Sequence, residues 1–376
     1  MARYVPVMNT ENVLDEIFLQ SYFGQGAITG VANNAAAKCP PYDPSKFTRK
    51  PLSAQNWWDR QKRLDSKATK KLGDSPLQPR VPKAPRWVNY ACCGDKDGEA
   101  PLPTAKELGP INVLNLGFLT IRRPEGDLEK FFQLSVAKRR QYIHSMHLAG
   151  ISVIMSTFGG DDTPPVMNHF DPVAIGKLHG EIAKESGFDG IDIDWEDIDA
   201  ANLQSHAATG WMEAYVNAVR SEIPVGKYAL TAAPVAPWFT TNTDTYCSGM
   251  YRTIDRKVGH LHDWYNIQFY NQGRGTYSTC ADILTKSDVG EDYVHSSVFE
   301  IHEKGGVDLQ KLVIGKPTEG RAASGHIPAS LIAKCVVQAK HKGWKAGVMT
   351  WQWPDSDAQW WKTIRGKAFA AREKKE

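Results

Sequence analysis

An α/β barrel of eight parallel strands, each followed by helix, is the fold this sequence predicts, and three observations predict it. Short apolar runs alternate with amphipathic stretches from Arg86 onward; eight such units follow one another; and the chain is 376 residues long, where a barrel of this kind needs roughly 250. A (β/α)8 barrel over residues 86–370, an N-terminal extension over residues 1–85 and a short charged tail over 371–376 account for that length. Chemistry is then expected at the C-terminal ends of the strands.

The strand candidates are Trp87–Cys92, Asn112–Leu119, Ser152–Ser156, Gly190–Trp195, Tyr228–Ala233, Trp264–Tyr270, Leu312–Gly315 and Gly347–Trp351. Each is a short apolar or alternating run, the pattern of a strand buried under helices. Between them, Leu128–Leu148, Val173–Ser186, Leu203–Ile223 and Pro328–Lys342 return apolar residues at three and four positions, the period of a helix with one buried face. An open doubly wound sheet is the competing architecture. Gly24-Gln25-Gly26 gives it no support, because no strand precedes the glycines.

Composition narrows the function classes. With 41% hydrophobic residues, 12 Trp, 13 Tyr and 13 Phe, the chain can bury a large core and is not a disordered protein. A net charge of +3 is too small to mark a nucleic-acid binder. No run of about 18 apolar residues offers a membrane span. Glu11, Asp15 and Glu16 interrupt the N-terminus where a secretory leader needs an apolar run, so the expectation is an intracellular or unconventionally released protein. Six cysteines without a CxxC pair leave the disulfide state open; with no such leader and no N-glycosylation sequon, a reducing compartment is expected. The charge is uneven: Lys46–Arg86 holds twelve Lys or Arg against three Asp or Glu. A basic, proline-punctuated segment of that kind reads as an arm lying over an acidic body, with an anionic surface as the other reading. Asn56-Trp57-Trp58-Asp59-Arg60 within it either caps the barrel or adds a sugar-binding surface. His144 and His147 share a helix face without further convergent ligands and are expected at the surface.

The chemistry sits in the fourth strand, Ile191-Asp192-Ile193-Asp194-Trp195-Glu196. Side chains alternate along a strand, so Asp192, Asp194 and Glu196 share one face and the apolar residues the other. In a barrel the apolar set meets the helices and the three acids point inward. Acids stacked at about 6.6 Å backbone spacing cannot all stay ionised in a poorly solvated core, so at least one keeps a proton at neutral pH. Glu196 lies nearest the C-terminal end, where a ligand reaches it, and is the expected donor; Asp192 lies deepest. A divalent-metal site is the competing reading. It is weakened by the straight strand and by the absence of His or Asn in the motif.

Asp189, Asp192, Asp194 and Glu196 together resemble the DxxDxDxE signature of family 18 glycoside hydrolases, the chitinases and endo-β-N-acetylglucosaminidases. Other strands carry the same likeness: Thr157-Phe158-Gly159-Gly160 after the third, with Thr157 where the family has Ser; Thr231–Pro234 at the fifth; Gln268–Asn271 at the sixth; Gly347–Trp351 at the eighth. The nearest flavour is that of plant class III and related fungal and bacterial chitinases, and the resemblance spans residues 86–370. It implies a retaining, endo-acting hydrolase of N-acetylglucosamine polymers that needs no cofactor or metal and uses the sugar's own 2-acetamido group as nucleophile, an exception to the two-carboxylate scheme. It gives Glu196 the role of acid, has Asp194 share a proton with Asp192, and sets Tyr270 against the acetamido group. It places Gln268, Asn271, Trp351 and Met349 around the sugar, with Tyr90 and Phe118 as further pocket aromatics. Asp189, Gly159 and Gly160 belong to the motif as structural positions. An N-glycan substrate, or a non-catalytic chitin-binding lectin on the same barrel, are the alternatives. With few residues between strands seven and eight, no extra domain walls the groove, and Thr318–Gly325 forms one side of it.

Overall fold

In the computed structural model, residues 41–69, 77–92, 101–273, 275–319, 322–366 and 368–369 are described. Residues 1–40, Lys70, Lys71, Cys93, Gly94, Arg321 and the charged tail 371–376 lie outside the described residues.

Eight parallel strands close into a barrel in sequence order: β1 Arg86–Ala91, β2 Val113–Leu119, β3 Ser152–Phe158, β4 Gly190–Asp194, β5 Ala229–Ala232, β6 Trp264–Gln268, β7 Leu312–Pro317 and β8 Gly347–Trp351. Every strand residue except Arg86, Phe118 and Trp351 is buried. Helices on the outside and side chains on the inside cover both faces, which is why the runs read as nearly continuous apolar segments. The expected strands are all present, with ends shifted by one or two residues, as hydrogen-bonding at the barrel rim is not visible in a hydrophobic pattern.

The stretch expected as one helix over Leu128–Leu148 is two, Gly126–Gln133 and Val136–Leu148. Ser135 adopts an extended backbone, and its side chain caps the second helix by accepting from the Lys138 N–H; a Ser at such a position starts a helix rather than continuing one. The helices Pro172–Ser186 and Ser205–Glu222 and the helix Ala329–His341 fall within two residues of expectation. Between β7 and β8 lie residues 318–346 with that last helix as their only α-helix among the described residues, so no further domain covers the groove there.

The described part of the N-terminal arm packs on the barrel. Its helix Leu52–Thr69 buries Ala54 and Trp58, one helical turn apart, and sets Trp58 beside Phe132, with ring centroids 6.4 Å apart. Lys50 pairs with Asp171, Lys62 with Glu181 at 2.7 Å and Asp65 with Arg139. At Gly210, in the helix Ser205–Glu222, an added Cβ would lie 2.3 Å from the Tyr42 ring; only glycine lets the arm seat there. Further on, the arm crosses the strand entrances, where the Arg80 N–H donates to Asp189 at 2.8 Å and the Arg80 carbonyl accepts from Ser152 at 3.1 Å. Cys280 and Cys335 are joined by a disulfide, tying the helix Cys280–Leu284 to the helix Ala329–His341. The sequence left the pairing of its cysteines open, because spacing carries no information on which side chains the fold brings together. Among the described residues no helix is long and apolar enough to cross a membrane.

Candidate active site

Asp192 sits at mid-strand in β4, where the register pairs it with Ser156 of β3 and Thr231 of β5. Paired residues in neighbouring strands project to the same side, so all three side chains enter the barrel in one layer. The Asp192 carboxylate there accepts from Tyr90 Oη at 2.6 Å, Ser156 Oγ at 2.9 Å, Asn266 Nδ2 at 3.0 Å and Thr231 Oγ1. Two donors on each oxygen fill the acceptor sites of a carboxylate. Burial lifts its pKa above the ordinary value, against the downward pull of those four hydrogen bonds. With its lone pairs occupied, it offers nothing to a cation, and the metal reading of the motif loses its central ligand.

Two residues on, Asp194 is also buried, but its surroundings differ. Gln268 Nε2 donates to it at 2.9 Å, and Glu196 shares a hydrogen bond with it. Burial first, then the negative charges of Glu196 and Asp192, push the Asp194 carboxyl well above the usual range, so it holds a proton between two acids. The alternating motif has Glu196 as the proton donor, and the family resemblance has Asp194 share a proton with Asp192. Asp192 is satisfied by four neutral donors, while Asp194, raised further above the ordinary carboxyl range, is hydrogen-bonded to Glu196. Glu196, half-buried two residues beyond the end of β4, lines an open cleft. Gln268 reaches it too, at 3.4 Å, while also donating to the Ala233 carbonyl at 2.9 Å.

The cleft encloses about 430 Å³ at the C-terminal ends of the strands. Asp194, Glu196, Gln268, Tyr270, Asn271, Phe118 and Trp351 line it, with the Gly159 and Gly160 backbone. Trp351 and Phe118 lie nearly parallel, ring centroids 5.9 Å apart, and the Trp351 indole N–H donates to the Ala322 carbonyl at 3.2 Å; Ala322, from the 318–325 loop, also lines the cleft. Tyr270 is 5% exposed, and burial followed by the charges of Asp194, Glu196 and Asp192 keeps its hydroxyl protonated far above neutral pH. Asn271 takes a left-handed φ of 63° and accepts from Ser324 N and Oγ at 2.9 and 3.1 Å, so it braces the wall that it lines.

Two glycines make room. Gly159 has φ +91°, and a side chain there would meet the Phe118 ring at 3.1 Å; a Cβ on Gly160 would lie 3.3 Å from Glu196 Oε2. Just before them, Phe158 takes φ 70°, rare for a bulky residue, and its ring packs on Trp211 and Tyr215.

Two expected sugar contacts are not in the cleft. Tyr90 is 1% exposed and spends its hydroxyl on Asp192; Met349 is fully buried, its Cε pressed against Gly315 of the neighbouring strand. Both sit below the rim, in the packed interior, where alternation along a strand says inward but not how deep. Asp189, at the strand entrance, holds the barrel bottom: it accepts from Val153 N at 2.6 Å and Arg80 N, and meets His147 Nε2 at 2.8 Å. His147 is therefore a half-buried partner of Asp189, while His144 is at the surface.

Sequence reasoning missed Ser156, Thr231 and Asn266, the donors to Asp192; strand register, which aligns Ser156 and Thr231 with it, is the signal that finds them. It also missed Asp162, which lines the cleft. Asp162 accepts from Ile121 N at 2.9 Å and Thr163 N at 2.7 Å, joining the loops after β2 and β3. Burial raises its pKa to about 7 despite those two bonds.

No protein-family model matches the chain, and no curated protein matches it. Solved structures do. A GH18 chitinase from Pseudoalteromonas aurantia superposes with TM-score 0.58 at 23% identity, over 74% of this chain and 98% of that one. A fungal endo-β-N-acetylglucosaminidase of glycosyl hydrolase family 18 gives 0.53 at 20%, over 74% and 96%. A chitinase from Bacteroides thetaiotaomicron gives 0.53 at 14%, over 78% and 100%. The chain has a family 18 glycoside hydrolase-like fold.

Proposed function

We propose that this chain, folded as a family 18-type barrel, is a retaining glycosidase that cuts β-1,4-linked N-acetylglucosamine chains internally. The observation that carries this reading is the buried Asp194 carboxyl hydrogen-bonded to Glu196 at an open cleft bordered by Trp351. The pyranose at the cleavage point rests its C–H face on the Trp351 indole, a surface suited to such contact. Glu196 gives a proton to the bridging oxygen as the bond from C1 to that oxygen breaks, and Asp194 beside it is the store from which that proton is shared. The acetamido carbonyl oxygen attacks C1 and closes an oxazolinium ring. Asp194, relieved of its proton, faces the positive charge that develops, and Tyr270 donates towards the acetamido oxygen and holds its aim. Water then opens the ring at C1, and the Glu196 carboxylate takes its proton.

The short connection between β7 and β8 leaves the groove open, which favours cuts within a polymer. The test is release of products from a chitin tetramer, from a high-mannose glycopeptide and from β-1,4-glucan oligomers. Cleavage of the tetramer alone supports this reading, and cleavage of the glycopeptide alone transfers it to N-glycans. Glucan, lacking the acetamido group, is left intact; its hydrolysis at a comparable rate overturns substrate assistance, and failure on every acetamido substrate removes the enzymatic reading.

A further inference from the structure

Behind the hairpin that follows β2 lies a second, larger groove of about 760 Å³, between the arm helix Leu52–Thr69 and the helix Gly126–Gln133. The hairpin is short, closed by the bridge between Leu119 and Pro124 and by Thr120, whose N–H donates to the Arg123 carbonyl at 3.1 Å. Thr120, Glu125 and Gly126 line the cleft on one side of it; Arg122, Arg123 and Pro124 line the groove on the other. The hairpin therefore borders the cleft on one side and the groove on the other.

The chemistry of the groove is that of a glycan platform. Trp57 is partly exposed and stands nearly perpendicular to Phe132, centroids 4.9 Å apart, so that neighbour holds the indole upright without stacking over it. Around it, Asn56 and Gln133 present amides, uncharged groups that both donate and accept, as sugar hydroxyls and acetamido groups do, while Gln61 donates its amide to Asp65 at 2.9 Å. Arg122 and Arg123 stand on the hairpin side, and Arg60, Asp65 and Glu129 add charges of both signs on the two helices. The adjacent Trp58 is buried and donates to Glu181 at 3.0 Å, so the two tryptophans divide the work: Trp58 anchors the arm and Trp57 faces the groove.

We propose that this groove, built half from the N-terminal arm, binds the distal sugars of the same N-acetylglucosamine polymer whose proximal end occupies the cleft. The inference rests on the glycan reading of the cleft and adds to it an accessory subsite with Trp57 as its platform. It makes the arm a determinant of substrate length, acting on long chains and indifferent to short ones.

The experiment compares steady-state kinetics on a chitin tetramer and on soluble chitin polymer, using the full chain. Trp57→Ala is expected to raise KM for the polymer about tenfold, the equivalent of ~1.4 kcal/mol, with kcat unchanged and both constants for the tetramer unchanged; Trp57→Phe retains most of the affinity. Asn56→Ala loses nothing from the fold, being exposed and on a helix that alanine favours, and is expected to raise polymer KM about threefold. This second variant decides the matter if Trp57→Ala lowers the melting temperature and disturbs both substrates. Equal effects of Asn56→Ala on tetramer and polymer, or none on either, overturn the proposal. So does a polymer KM that climbs steeply with salt yet ignores both substitutions, which points to an anionic occupant held by the arginines. If neither substrate is cut and the Glu196→Gln protein does not bind the polymer, the reading of the cleft itself has failed, and the subsite falls with it.

Discussion

The hydroxyl of Tyr90 at the end of β1 donates to Asp192 in the middle of β4 at 2.6 Å, across the full width of the barrel interior. It is one of four donors that leave Asp192 satisfied, while Asp194 bonds Gln268 and Glu196. Burial and the neighbouring Asp192 raise the tyrosine's own pKa well above 10, so it remains a donor at every working pH. Tyr90→Phe deletes one donor and leaves the buried carboxylate short of a partner, at a cost of about 1–3 kcal/mol. Chemical denaturation is expected to show that loss, and turnover is expected to fall with it as Asp192 competes for the Asp194 proton. Unchanged turnover in a folded variant removes Tyr90 from any link to the site.

Glu196→Gln keeps the shape of the side chain and removes the acid. A general acid contributes about 10²–10⁴-fold, so kcat is expected to drop by at least about a hundredfold while titration calorimetry finds oligosaccharide affinity preserved. Retained turnover assigns the proton to another group.

The raised pKa of Asp162 makes stability depend on pH in a fixed direction. Its ordinary value is 3.8 and its folded value about 7, so between them the folded state holds a proton that the unfolded chain has released. Stability therefore falls as pH rises through this window, and the raised pKa of Asp194 adds a contribution of the same sign. Asp162→Asn is expected to flatten the melting-temperature profile between about pH 4 and 7; its single amide oxygen can keep one of the two bonds from Ile121 N and Thr163 N, which now go to different oxygens, so an overall drop in melting temperature accompanies the flattening. A slope unchanged by the substitution assigns it to other groups.

Gly160→Ala tests the room beside the acid. The new methyl lies 3.3 Å from Glu196 Oε2, tight enough to displace a carboxylate but not to unfold a surface loop. Turnover is expected to fall about tenfold or more, since catalysis depends on geometry at the ångström scale, with the melting temperature within a few degrees of the parent. A variant as active as the parent shows that Glu196 has freedom to move.

The arrangement of eight parallel strands was legible because each strand is buried on both faces and writes an uninterrupted apolar run, and the three inward acids because alternation on a strand is strict. Ser135 carried a readable cap signal that the wider helical period obscured. Depth was not legible: Tyr90 and Met349 obey the same alternation as the residues of the cleft, yet lie beneath it. Nor were the partners of the arm, since Trp57 and Trp58 are neighbours of one type in one helix and only packing sends one inward and the other to a groove.

The amino-acid order alone thus settled which side chains face the barrel axis, because that follows from a backbone repeat of two residues. How far each of those acids is pushed towards its protonated form was decided in three dimensions, in part by donors gathered from β1, β3, β5 and β6 onto Asp192. Protonation is a competition between desolvation and hydrogen bonds, and the donors that settle it are brought together only when the barrel closes.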